Sequence, residues 1–213
     1  MEAVAPKIPM TLRERNEAPE VIHVPATWEE YLELAEAIPY NIEYYEGEII
    51  SMGQASLLHE RLVSRLIMLF GNYYDSLEGY EILASNVKIY AADCQAEFNA
   101  DLSVLRGEPD YVRLPSGRLS TVSYQNPEVI VEVLSKSTKN FDKAGKLDCY
   151  KTIPTVKHVI FVDQLKVSVS VVTRTVEPNQ WLTKDYDLLT DIVFIGNFSI
   201  PVQSIYRKTS LAA

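Results

Sequence analysis

A chain of 213 residues, 47% hydrophobic and 23% charged, suits one α/β domain with a sizeable core and is too short for two full domains. Its 20 basic and 29 acidic residues leave a net charge of −9, the wrong sign for a protein that works by coating phosphates. Any contact with nucleic acid must then rest on a local basic surface or on bound divalent cations. The longest apolar run is only a few residues, which excludes a membrane-spanning helix. The opening stretch lacks the basic start and apolar core of an export signal, so a cytoplasmic protein is expected. Cys94 and Cys149 match no metal-ligand spacing and are expected to be reduced.

Residues 1–24 carry Pro, Glu and Arg without apolar periodicity and read as a mobile arm ahead of a single domain over 25–208. Thr27 and Glu30 form a capping box that opens a short helix to about Ala37, closed by Pro39. Asn41 to Met52 places β-rich residues on both sides of Glu46-Gly47, a hairpin signal. From Ala55 to Tyr74, Leu58, Leu62, Leu66 and Leu69 recur at the helical period, with Val63, Ile67 and Phe70 beside them. Strands are predicted at about 81–90 and 98–105, and then at the apolar run Val129–Leu134, a central strand buried on both faces. A helix over about Lys139–Lys151, strands over Val156–Val162 and Lys166–Arg174, and edge elements near Trp181 and Val193–Ile195 complete the chain. The order specifies a mixed α/β domain in one piece.

Glu132 interrupts the most apolar strand. A carboxylate there costs several kcal/mol unless it is paired or bound to a cation. Asp101 starts the strand before it, and two carboxylates on neighbouring strands repel unless something positive lies between them. Hard oxygen donors select Mg²⁺ or Mn²⁺. Asp142, Lys146 and Tyr150, spaced i, i+4, i+8, share one helical face, so Lys146 is a candidate cation directed at the pair. His59 stands near the start of the long helix with Arg61 and Arg65 after it, and Glu43 lies in the first hairpin strand between Ile42 and Tyr44. Each has an ordinary structural alternative: a half-buried core histidine and a solvated edge glutamate.

These residues, in this order, resemble the Uma-two family of restriction-endonuclease-like proteins within the PD-(D/E)XK nuclease superfamily. The resemblance is carried by Thr27-Trp28-Glu29-Glu30-Tyr31-Leu32, Ile42–Ile49, His59, Asp101, Pro127–Ser135, then Asp142, Lys146, Tyr150 and Val162-Asp163, over about residues 25–205. It implies a restriction-endonuclease-like fold, a mixed central sheet flanked by helices with an N-terminal hairpin. It also implies metal-dependent endonuclease activity on phosphodiester bonds of nucleic acid, DNA above all. Asp101 and Glu132 would hold Mg²⁺ or Mn²⁺, Lys146 would supply the catalytic ammonium, and His59 and Glu43 would be further members of the site. A homodimer would suit an enzyme that cuts two strands. Two departures stand out: Ala100 precedes Asp101 where the motif has Pro, and Leu134 stands where the superfamily places its lysine. Pro109-Asp110 imitates the motif but lies in a loop with no buried strand behind it. A catalytically silent nucleic-acid or protein binding module is the alternative reading. A metal-independent hydrolase using two carboxylates as acid and base ranks last.

Overall fold

The computed structural model describes residues 7–212. Leu12–Glu17 forms helix α1 and Val21–Pro25 strand β1, followed by α2 (Trp28–Ala37), β2 (Glu43–Tyr45), β3 (Glu48–Met52) and the long α3 (Leu57–Tyr74). Next come β4 (Tyr80–Ala84), β5 (Lys88–Ala91), β6 (Ala96–Phe98), β7 (Leu102–Arg106), β8 (Tyr111–Arg113), β9 (Leu119–Tyr124) and β10 (Pro127–Leu134). Helix α4 (Lys139–Phe141), a π-helical turn (Asp142–Lys146) and α5 (Leu147–Thr152) lead to β11 (His158–Asp163), β12 (Val169–Arg174) and β13 (Trp181–Tyr186). A hairpin of β14 (Ile192–Ile195) and β15 (Phe198–Pro201) precedes α6 (Val202–Tyr206).

The strands divide into a seven-stranded sheet, β1-β3-β2-β6-β5-β9-β8, a six-stranded sheet, β13-β12-β11-β10-β7-β4, and the β14-β15 pair. The result is the mixed α/β architecture read from the sequence. Local chemistry accounts for much of it. Thr27 accepts from the Glu30 backbone while the Glu30 side chain returns to the Thr27 N–H, completing the capping box. Glu46 (φ 49°) and Gly47 (φ 78°) turn the β2–β3 hairpin in the left-handed region.

β10 is buried at every residue except Glu128. Its side chains alternate between two cores, as strand geometry requires. Val129, Val131 and Val133 pack with Leu62, Leu66 and Phe70 of α3. Ile130 and Leu134 pack on the other side with Phe98, Tyr150 and Ile153, between the two sheets. Glu132 shares that second face.

Three expectations change. The single strands predicted over 81–90 and 98–105 are each two, because the chain changes sheets within them: β4 and β7 belong to the six-stranded sheet, β5 and β6 to the seven-stranded one. Apolar alternation does not register such a corner. Of the predicted mobile arm, residues 1–6 lie outside the described residues, but α1 carries its own Thr11–Glu14 capping box and β1 pairs with β3 over its whole length. The buried Arg15 closes that region by donating to the carbonyls of Pro19, Glu20 and Ser51. Backbone pairing and one arginine hold this stretch, so it has no apolar period to read.

Cys94 and Cys149, expected as free thiols, form a disulfide with Cα atoms 5.8 Å apart. It joins the 3₁₀ turn Ala92–Cys94 to α5, a contact that exists only in the folded chain. Closing a loop with a sequence separation of 55 residues stabilises a fold by roughly 4 kcal/mol in the chain-entropy picture. Reduction with dithiothreitol, or Cys94→Ser with Cys149→Ser, is therefore expected to lower the urea midpoint. An unchanged midpoint in reducing buffer would show that the bridge contributes nothing.

Candidate active site

Strands β10 and β11 are parallel neighbours, with Glu132 opposite Phe161. Parallel neighbours require a crossover connection, and α4–α5 is that connection. It passes over the face carrying Glu132, so Lys146 and Tyr150 descend onto the carboxylate from above. The approach is close. A Cβ on Gly145 would lie 3.1 Å from ring atoms of Phe141 and Tyr45, so any side chain there would have to displace both rings for the π-helical turn to settle against β2. π-Helical turns inside helices recur at functional sites.

Lys146 is 2% exposed and surrounded by three carboxylates, each from a different element. Its Nζ lies 2.8 Å from Glu43 Oε1, 3.3 Å from Asp142 Oδ1 and 3.5 Å from Glu132 Oε1. Tyr150 donates its hydroxyl to Glu132 Oε1 at 2.7 Å, and the Asn99 backbone N–H donates to Glu43 Oε1 at 2.9 Å. Glu43 Oε2 is buried with no hydrogen-bond partner among the described residues.

One ammonium cannot neutralise three carboxylates. Burial, followed by repulsion from Asp142, Asp101 and Glu43, raises the Glu132 carboxyl well above the ordinary 4.5 despite Lys146. Burial also raises Glu43, which its hydrogen bond to Lys146 partly offsets. Burial works against the Lys146 charge, but the three carboxylates outweigh it and hold the ammonium well above the ordinary lysine value. Lys146 therefore stays charged. Glu132, with the longest of the three contacts, is the member most in need of further positive charge.

Asp101 sits where the chain steps from the seven-stranded to the six-stranded sheet. The β7–β10 register pairs Leu102 with Val131 and Ser103 with Ile130, and one further step sets Asp101 across from Glu132. Asp101 Oδ2 accepts the Val133 backbone N–H at 2.7 Å and lies 3.3 Å from His59 Nε2 on α3. Burial draws the His59 imidazole down, but contact with Asp101, then Glu60, more than compensates and raises it above 6.5. His59 Nδ1 is buried and lacks a hydrogen-bond partner among the described residues, with Glu60 Oε1 3.7 Å away.

The five residues singled out in the sequence thus form two adjoining groups. Lys146, Glu132 and Glu43 make one cluster, Asp101 and His59 the other, and the repulsion between Asp101 and Glu132 links them. Asp142 and Lys146 are a buried pair, and Glu43 is buried in an interior strand rather than on an edge. Asp110 of the decoy Pro-Asp pair is exposed and bonded to Gln125. Sequence reasoning missed a second buried network beside the first: Lys88 donates to the Tyr31 hydroxyl at 2.8 Å and to the Ile42 carbonyl at 2.7 Å, while Tyr31 and Ser123 both donate to Glu97. Only the polar alternation of Ile42-Glu43 and Ala96-Glu97-Phe98 hinted at it.

Asp101 and Glu132 offer oxygen donors, the chemistry that suits a hard divalent cation. Among the described residues no group of three or more His, Cys, Asp or Glu side chains is arranged to hold a metal. The chain's own share of a coordination sphere is therefore partial. The carboxylate surplus and the orphaned Glu43 oxygen make a cation welcome here.

A mixed α/β domain with a buried acid–lysine cluster at the end of its central strand is the class defined so far. Residues 28–203 match the family described as "Uma2: Putative restriction endonuclease", and the chain belongs to that family. It is 33% identical to an uncharacterized protein of Synechocystis over 153 residues, 72% of this chain and 82% of the relative. A second uncharacterized Synechocystis protein is 32% identical over 181 residues, 84% and 90% of the two chains. The fold matches a crystal structure from Anabaena variabilis, described as a putative nuclease belonging to DUF820, with TM-score 0.67 and 17% identity over 85% of this chain and 98% of that one. No helix among the described residues is long and apolar enough to cross a membrane.

Because folding raises the Glu132 carboxyl, the folded state binds that proton more tightly than the unfolded chain does. Metal-free stability should then fall as pH rises from the ordinary carboxylate value through the folded one. Glu132→Gln keeps an acceptor for Tyr150 and leaves Lys146 paired with Glu43 and Asp142. It is expected to match wild type in acid and to be more stable at neutral pH, by on the order of 1–3 kcal/mol. Urea titrations across pH in EDTA measure this, and a variant less stable than wild type at neutral pH contradicts the surplus of negative charge.

Proposed function

We propose that this protein is a metal-dependent nuclease that hydrolyses phosphodiester bonds of nucleic acid, with DNA the preferred substrate. The observation that carries the reading is the surplus of buried carboxylate around Lys146, next to Asp101. Such an arrangement is costly for folding alone and is what binding a cation relieves. Asp101 and Glu132 would hold Mg²⁺ or Mn²⁺. When bound, the cation supplies a water of lowered pKa and neutralises charge on a phosphate.

The chain's own groups have separable tasks in this reading. Tyr150 fixes Glu132 through one oxygen, which leaves the other for a ligand. The Val133 N–H holds Asp101 in the same way. Glu43 and Asp142 position Lys146, whose ammonium beside Glu132 would stabilise the negative charge that builds on a phosphate during hydrolysis. His59, with its proton favoured by Asp101, places a second cation at the mouth of the site. Glu43 is thus a positioning residue here, and Tyr150 joins the site.

The family membership and the fold of the Anabaena neighbour favour this reading over a catalytically silent binding module. So does the ammonium that Lys146 places beside Glu132 although Leu134 occupies the strand position.

Incubation of supercoiled plasmid, single-stranded DNA and RNA with Mg²⁺ or Mn²⁺ tests it. Loss of several kcal/mol of metal assistance corresponds to about 10³-fold, and Asp101→Ala and Glu132→Gln are each expected to lose that much. Lys146→Ala is expected to lose about 10²–10³-fold. Wild-type cleavage by the folded Asp101 and Glu132 variants would reject the assignment. Since Glu132 must be ionised to hold a cation, the acid limb of the pH–rate profile should lie above the ordinary 4.5 and move to lower pH as Mg²⁺ is raised. A limb insensitive to Mg²⁺ would mean that another group titrates.

A further inference from the structure

The outer side of α3 carries a feature that the acidic site does not use. A groove of about 520 Å³ runs between α3 and the turn after α6, and Arg61, Arg65, Arg207 and Lys208 line it. Glu60 is its only acid and Ser64 its other polar member. The local balance is +3 in a chain of net charge −9. Arg61, Arg207 and Lys208 are exposed, and none of the three forms an ion pair or side-chain hydrogen bond among the described residues. Arg65 is anchored by donating to the Ser204 carbonyl at 2.9 Å.

Arg207 and Lys208 are held out by a firmly built turn. Tyr206 before them is buried, with its hydroxyl bonded to the carbonyls of Asp163 and Ser168. Thr209 after them is buried and bonded back to the Tyr206 carbonyl. Lys208 itself adopts φ 67°, a left-handed conformation that a lysine rarely takes and that surrounding structure must impose. The fold thus displays two cations side by side on a rigid turn.

We propose that this groove is a track for the phosphodiester backbone of the nucleic acid, leading it to the acidic site. The proposal rests on the nuclease reading above and names its substrate-holding surface. Leu57 to Met68 rises ~17 Å along the helix at ~1.5 Å per residue, about five backbone steps of one strand at ~3.4 Å. Groove and site meet at the first turn of α3: Glu60 lines the groove, and His59, the residue before it, faces Asp101. An acidic protein has no general attraction for polyanions, so a confined basic strip decides where a strand lies. An anionic membrane surface is the other polyanion such a strip could meet, but a concave groove one helix wide fits a strand better than a plane.

The test is fluorescence anisotropy with labelled duplex DNA, single-stranded DNA and single-stranded RNA in EDTA, where metal-dependent cleavage is silent, against rising KCl. Arg61→Gln/Arg207→Gln/Lys208→Gln is expected to bind the preferred probe at least about tenfold more weakly, with the salt slope reduced by about 3. Arg118→Gln, on an exposed loop away from α3, is expected to bind as wild type does. A triple variant with the wild-type affinity and slope overturns the groove, as does a wild type that binds none of the probes, whether or not it binds phosphatidylserine vesicles. Cleavage by the same preparations in Mg²⁺ separates the two readings: binding that depends on the groove without any cleavage rejects the nuclease and leaves the track, and cleavage with groove-independent binding does the reverse.

Discussion

The ammonium of Lys146 is the point on which the molecule turns. Its three carboxylate partners come from three places: Glu43 from the seven-stranded sheet, Glu132 from the six-stranded sheet, and Asp142 from the crossover helix. Moving four such groups out of water is expensive, and one ammonium repays only part of the cost of three carboxylates. The cluster ties the two sheets together, because a slip between them would pull Lys146 away from Glu43 or Glu132 and enlarge the negative surplus. Phe98, Tyr150 and Ile153 seal it from water, which strengthens every interaction inside it.

That same closure separates two electrostatic regions. Across the six-stranded sheet from α3, between the two sheets, lies a surplus of carboxylate, and on the outer side of α3 a strip of arginine and lysine. The overall charge of −9 hides this division, since a net charge describes the far field and not the surface that a ligand meets. An acidic chain can hold a polyanion if the basic strip on α3 and a cation bound near Asp101, which α3 reaches through His59, work together.

How much of this could be read from the sequence depends on the range of the interaction. The Thr27–Glu30 box, the Glu46-Gly47 turn and the apolar period of α3 are local signals, and each is found where it was read. Glu132 was legible because a carboxylate inside an apolar strand is anomalous on its face, and Asp142, Lys146 and Tyr150 because helical spacing is a strong constraint. The π-helical turn around Gly145 was not legible, since it answers to the rings of Tyr45 and Phe141, about 100 and 4 residues away in sequence. The bridge between Cys94 and Cys149, the pairing of β1 with β3, and the Lys88–Tyr31–Glu97 network were hidden for the same reason: their partners meet only after the sheets assemble.

The departure at Leu134 follows from the packing. Residue 134 lies on the Glu132 face of β10, but it is 1% exposed and set among Phe98, Cys149, Tyr150 and Ile153. A lysine at that position would place its charge in an apolar layer, with the crossover helix already closed above it. The crossover supplies the ammonium instead, and Lys146 reaches to 3.5 Å from Glu132 while Glu43 and Asp142 hold it. Leucine on the strand and lysine on the helix are in this sense one solution, in which the apolar layer stays intact and the positive charge still arrives beside the carboxylate. That arrangement also gives the acid on β2 its role: without Glu43, the lysine would lose its closest partner and be drawn to the sheets by Glu132 alone, at a longer distance.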